Sequence, residues 1–251
     1  MYIRYMSKFF NLFCSLGVVC IINLNIASAQ QVSLGNLAKN VAVENYFNKA
    51  IAQQSRLFNG PAYEFYSSRI EGTAYFNDIK EFPNGTIVYD GYRFENVPLI
   101  YDLYADVVVT RQNDSSFPYC LLNEKVTALF LDNHYFIRLT VDSTIRNSPI
   151  KTGFYDLMKD GKIKFLVKRS KSIQDKPGIS VVQKYFSSET SYFIQKGSIY
   201  YKISGESSFM NLFKEHKSDF RKQLKSQQIR FKKNPEQAIM LLIDYYSTIT
   251  N

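Results

Sequence analysis

The stretch from Gly85 to Val109, GTIVYDGYRFENVPLIYDLYADVVV, constrains this chain more than any other. Apolar and polar residues alternate along it, and the alternation breaks at Asp90-Gly91. A period of two belongs to a strand with one buried face, and Asp-Gly suits the positive φ angles of a two-residue hairpin turn. The segment therefore predicts antiparallel strands joined by tight turns. It also repeats Tyr-Asp, at Tyr89-Asp90 and Tyr101-Asp102, and Tyr155-Asp156 adds a third copy.

The same grammar extends from about residue 59 to 205. Asn84-Gly85, Asp160-Gly161 and Lys196-Gly197 read as further turns, as does Asp132-Asn133. In FYDLMKDGKIKFLV, Ile163, Phe165 and Val167 alternate with Lys162, Lys164 and Lys168, although Leu166 breaks the rule. Val126 to Leu131 is apolar on both faces apart from Thr127, which places it centrally in a sheet. Short, evenly spaced strands without intervening helical periodicity argue for an antiparallel meander of about nine to eleven strands and against βαβ units. The expected class is mainly β (α+β): a curved open sheet or half-barrel, with a β-sandwich as the second choice.

Helices are expected at both ends. Val43, Tyr46, Phe47, Ala50, Ile51 and Leu57 fall at helical spacing, with Asn40 as cap and Asn59-Gly60-Pro61 as stop. After Gly205 the period changes again. Phe209, Leu212, Phe213, His216, Phe220 and Leu224 form one stripe, capped by Ser207 or Ser208. Asn234-Pro235 with Gln237 marks a capping box that opens a second helix. The two are expected to form a C-terminal hairpin packed on the sheet.

The first residues carry an export pattern. Arg4 and Lys8 precede an apolar run from Phe9 to Ile22, and Ala27-Ser28-Ala29 supplies small residues for cleavage. The run is shorter than the roughly 20 residues that a membrane span needs. The expected organisation is a signal peptide at 1–29, a leader and helix at 30–58, an antiparallel β domain at 59–205 and the helical hairpin at 206–251. After cleavage no transmembrane span is expected, and the protein is placed in the periplasm or at the outer-membrane periphery, or outside the cell. Cys120 alone follows the cleavage point, so no internal disulfide framework is available and burial must stabilise the fold.

Charge is unevenly distributed. Residues 30–158 hold 11 Lys and Arg against 14 Asp and Glu, a net of −3. Residues 159–233 hold 18 against 6, a net of +12. Such a concentration attracts an anionic neighbour over long range. For an exported chain this means an anionic envelope component or a membrane-associated or acidic protein, and not nucleic acid. The residues expected to make the contact are Lys162, Lys164, Lys168, Lys214, Lys217, Arg221, Lys222 and Lys225.

Catalytic chemistry is sparsely represented. His134 and His216 are the two histidines, and neither has a second ligand at zinc spacing. Nucleophile-elbow, phosphate-loop and dinucleotide fingerprints are missing, and no metal or cofactor is expected. Asp90, Asp102, Asp106 and Asp156 could serve a carboxylate-dependent hydrolase only if at least two converge in a cleft. Calcium binding by the same residues lacks its loop pattern. With 19 Tyr and 20 Phe but no Trp, a tyrosine-rich face could hold a glycan or an acyl chain.

The export pattern, Asn59-Gly60 near a tyrosine-rich segment, the Gly85–Val109 stretch, and a basic helix followed by NPEQAIMLLIDYY together resemble an uncharacterised family of exported envelope proteins of Gram-negative bacteria. The resemblance covers most of the chain after the signal. It implies an envelope location and carries no activity, ligand or site residue. The leading expectation is a non-enzymatic envelope protein that binds or scaffolds; the alternatives are a periplasmic carrier of a lipid or lipoprotein, and a hydrolase.

Overall fold

The computed structural model describes Val43 and residues 56–112, 117–142, 148–177 and 183–250. The expected signal peptide and leader, and nearly all of the expected N-terminal helix, lie outside the described residues. At the point where that helix was expected to end, Arg56–Phe58 forms one 3-10 turn.

The strands are β1 (Ile70–Glu71), β2 (Asn84–Tyr89), β3 (Tyr92–Asp102), β4 (Val107–Arg111), β5 (Pro118–Cys120), β6 (Val126–Leu131), β7 (His134–Leu139), β8 (Gly153–Lys159), β9 (Ile163–Lys176), β10 (Gln183–Lys196) and β11 (Ile199–Ile203). They form one open sheet in the order β1-β10-β9-β8-β7-β6-β2-β3-β4-β5, with β11 also pairing with β10. The continuous hydrogen-bonded path fits the open-sheet expectation and not the sandwich. Two meanders, β2 to β5 and β6 to β11, meet where β2 pairs with β6. Every pairing is antiparallel except β1 with β10, a two-residue parallel contact that the alternation of the sequence did not reveal.

Turn chemistry explains much of this path. Asp90 and Gly91 take φ angles of 52° and 80°, and Asp132 and Asn133 take 49° and 62°. Two successive left-handed residues match the twist of the strands they join. Asn84-Gly85 is different: it opens β2 instead of making a turn. Gly85 is buried, and a Cβ there would lie 2.7 Å from the Phe130 carbonyl oxygen and 3.0 Å from Leu99 Cδ1. Its glycine permits close strand approach. Within β3, Asn96 at φ 55° accompanies a register shift against β2, after which Leu99–Asp102 pair with β4. Beyond that bend Leu99 to Asp102 are all buried, so alternation gives way to a strand covered on both faces.

The C-terminal region contains α1 (Glu206–Leu212), α2 (Lys217–Ser226) and α3 (Pro235–Ile249), instead of the expected pair. Phe213, at φ −130° and ψ 52°, ends α1, and a 3-10 turn follows at Lys214–His216. The Phe213 ring packs against Phe209, Phe220 and Tyr246 at centroid distances of 5.1, 5.6 and 4.8 Å. Burying that ring against three others outweighs a continuous helix. Ser208 acts from inside α1, accepting the Gly205 N–H at 3.0 Å, so neither expected serine is the cap residue. Asn234 occupies the cap position before Pro235 but makes no side-chain cap bond; its carbonyl accepts the Ala238 N–H.

Ile163, Phe165, Val167, Ile194 and Ile203 pack with Phe209, Phe220, Leu224, Phe231, Ile239 and Leu242 from the helical region. On the opposite face, Leu166 joins Ile150, Tyr155 and Phe193. Both faces of β9 are thus covered, which accounts for the apolar residue that broke its pattern. Gly85→Ala is expected to cost about 1–3 kcal/mol in urea denaturation, because a methyl group must displace the β6 backbone. Gly91→Ala has open space and should cost about 1–2 kcal/mol through its left-handed backbone alone.

Candidate functional site

Cations dominate residues 159–233, and the fold treats them in two ways. Three of those on β9 are matched by carboxylates brought from distant segments. Lys168 Nζ lies 2.7 Å from Asp106 Oδ1 and donates to the Phe154 carbonyl at 3.1 Å. Burial pulls its ammonium below the ordinary lysine value, and Asp106 opposes that shift. Tyr101 OH donates to the same Asp106 oxygen at 2.5 Å; burial, then that carboxylate, pushes its ionisation well above the usual range. Arg169 donates to Asp156 through Nε and Nη2, at 3.0 and 2.8 Å, and reaches Glu236 of α3 at 2.9 and 3.1 Å. Burial works against its charge, and the bonds to Glu236 and Asp156 outweigh it. Lys171, 4% exposed, sits 2.6 Å from Asp78 and donates to the Thr73 carbonyl.

The acidic residues are correspondingly occupied. Asp156 is buried and accepts from Arg169, with His134 Nδ1 at 2.7 Å. Asp102 is fully buried: Oδ2 accepts from Tyr63 and Tyr66 hydroxyls at 2.8 and 2.7 Å, and Oδ1 accepts the N–H groups of Tyr104 and Ala105. Asp90 stays in the β2–β3 turn, 3.9 Å from Lys125. These carboxylates organise tyrosines and cations instead of presenting a pair of acids to one cleft, which is the arrangement that glycosidic acid–base chemistry needs.

The expected contact residues are divided between locations. Strand parity puts Lys164 and Lys168 on the face shared by Leu166, away from the helices. Lys164 pairs with Asp160 at 2.6 Å, and Lys168 faces inward to Asp106, so neither extends the helical basic surface. Lys162 is exposed just before β9. Around α2 the picture changes. Lys217 bonds Asn211, Lys222 pairs with Asp219 at 3.1 Å, and Arg221 lies 3.9 Å from Glu206. Lys214 and Lys225 are exposed and make no ion pair among the described residues. Arg230, Lys232 and Lys233, in the link to α3, are also exposed and unpaired among the described residues. Sequence reasoning included them in the basic region but did not single them out, because they lie outside helical periodicity. At 100° per residue, Arg221, Lys222 and Lys225 fall within an arc of about 100° that starts about 60° from buried Leu224 and runs away from it.

Residues 206–233 hold eight Lys and Arg against three Asp and Glu, a net of +5. Beside them, Lys196, Asn211, Lys214, Glu215, His216 and Tyr246 line an open cleft of about 270 Å³. Lys196 Nζ lies 5.4 Å from the Phe213 ring centroid, which holds its charge at this end of the helices. Among the described residues no helix is long and apolar enough to cross a membrane, and no cluster of three or more His, Cys, Asp and Glu could hold a metal ion. Comparison with protein-family models, curated proteins and solved structures finds no match.

The hydrogen bond from Lys171 is the main reason that Asp78 titrates below the usual carboxylate range. A lowered folded value stabilises the protein fully above the unfolded value near 3.8, and that contribution is lost as pH falls through the folded value. Acid titration of stability is therefore expected to show a steeper fall below that point in the parent than in Asp78→Asn, measured by urea denaturation at a series of pH values. Equal slopes would show that the pair does not contribute.

Proposed function

We propose that this protein is a non-enzymatic exported envelope protein that binds or scaffolds an anionic envelope component, or an acidic protein face, through its C-terminal helical region. The observation that carries this reading is the contrast between two sets of cations. Lys168, Arg169 and Lys171 on β9 are matched internally by Asp106, Asp156, Glu236 and Asp78. Lys214, Lys225, Arg230, Lys232 and Lys233 are exposed without such partners among the described residues. Unmatched positive charge on one short region repels itself and favours a surface of opposite sign. The contact set is accordingly Lys214, Lys217, Arg221, Lys222 and Lys225, extended by Arg230, Lys232 and Lys233. The proposed compartment is the periplasm or the outer-membrane periphery, on the strength of the export pattern.

The two alternatives have less behind them. A carrier of hydrophobic cargo needs an enclosed space between sheet and helices; Phe165, Phe209, Phe220 and Phe231, each no more than 5% exposed, fill the middle of that interface, and the cleft of about 430 Å³ at its edge, by Tyr192, Phe231 and Pro235, is open. A hydrolase needs accessible carboxylates, and Asp102 and Asp156 are buried behind their donors.

Vesicle co-sedimentation tests the proposal. Binding to phosphatidylglycerol-containing vesicles or to envelope fractions should exceed binding to phosphatidylcholine vesicles. It should fall as salt rises from 0.1 M to 1 M, where the screening length shrinks from about 10 Å to about 3 Å. Combining Lys214→Glu, Lys225→Glu and Lys232→Glu should abolish it, whereas Lys162→Ala should weaken it little. Failure to bind either target, or binding indifferent to salt, overturns the proposal.

A further inference from the structure

A second surface lies where the first part of β10 meets residues 63–75. An open cleft of about 400 Å³ is lined there by Phe65, Tyr66, Tyr75 and Phe186, together with Glu71 and Lys80. The rings are held in fixed positions. Tyr66 meets Tyr63, Tyr104 and Phe186 edge-on, at centroid distances of 6.4, 5.5 and 5.3 Å. Behind them Asp102 receives the hydroxyls of both Tyr63 and Tyr66, so these tyrosines are anchored by their polar ends. No Lys, Arg or His forms an ion pair with Asp102 among the described residues, and its four donors all come from tyrosines and backbone. A buried carboxylate that organises rings beside a cleft stabilises a surface and not only a core.

Other features of the cleft concern what could occupy it. Phe65 is 54% exposed although it packs edge-on against Tyr63. The side chains of Glu71 and Lys80 are exposed and make no hydrogen bond or ion pair among the described residues, although Lys80 is among the charges that hold Asp78 below the usual carboxylate range. Ser67 and Ser68 share the lining, the Ser67 hydroxyl also accepting the Arg69 N–H at 3.3 Å. An aromatic floor is thus accompanied by an acceptor, a donor and two hydroxyls able to do both.

We propose that this cleft binds a short neutral saccharide. A pyranose ring presents an apolar face of C–H groups to an aromatic floor and a rim of hydroxyls that donate and accept. Glu71, Lys80, Ser67 and Ser68 supply both partners. An acyl chain would leave Glu71 and Lys80 beside hydrocarbon at a desolvation cost, and an inorganic anion would meet the Glu71 carboxylate. The volume falls within the range of small-ligand sites, and rings already fixed by Asp102 reduce the ordering cost of binding. The site uses none of the helical cations and is independent of the proposal for them.

Saturation-transfer difference NMR on the full chain tests this, with maltose, cellobiose and N,N′-diacetylchitobiose as probes, and decanoate and inorganic phosphate as competitors. At least one disaccharide should receive saturation on its ring protons. Phe65→Ser and Lys80→Ala should each weaken that disaccharide by about tenfold, without lowering the melting temperature. Lys214→Glu should leave it unchanged, which separates this site from the helical one. The proposal is overturned if none of the three disaccharides binds, if binding survives both cleft variants, or if decanoate or phosphate displaces the sugar.

Discussion

Arg169 ties the two parts of this structure together. Its guanidinium donates to Asp156 in the middle of the sheet and to Glu236 in the first turn of α3, and its side chain is only 16% exposed. A planar, permanently charged fork can satisfy two carboxylates at once, which a lysine cannot do with the same geometry. Glu236 also places negative charge where the α3 dipole is positive. Breaking one side of a buried charged arrangement typically costs about 3–5 kcal/mol, since the remaining charge is stranded. Sheet and helices are therefore positioned by apolar packing and fixed in register by charge.

That arrangement changes the meaning of a basic sequence. The +12 on residues 159–233 suggests one continuous surface, yet β9 alone directs three successive cations into the structure. Their partners lie far away in the chain: Asp106 is 62 residues before Lys168, and Asp78 is 93 before Lys171. Composition has no means of showing that pairing. Only the strand register, which sets Lys168 opposite Ser191 and Arg169 opposite Thr190, decides which side chains face inward.

Features with local causes were legible. The Asp90-Gly91 and Asp132-Asn133 turns rest on the backbone freedom of two residues, and both take the expected left-handed conformation. The central position of β6 followed from its apolar run, although Phe130 is 45% exposed. Features with distant causes were not legible. Gly85 resembles a turn residue in sequence, and its role is set by the Phe130 carbonyl on another strand. The stripe from Phe209 to Leu224 has one helical period, but the packing of Phe213 against Tyr246 breaks it in two. The repeated Tyr-Asp was visible from the start, whereas its use needed the fold: Asp102 binds hydroxyls of Tyr63 and Tyr66 rather than that of its neighbour Tyr101, which turns to Asp106.

Gly153 opens the narrow space in which Lys168 meets Asp106. It adopts φ 151°, and a Cβ there would collide with the Asp106 carboxylate and lie 2.9 Å from Lys168 Nζ. Three positions separated by 47 and 15 residues thus share one confined space. A side chain at 153 would have to push aside the ends of both charged side chains, and it would stay strained even without the ion pair, because the backbone there takes a conformation that residues with a Cβ rarely adopt.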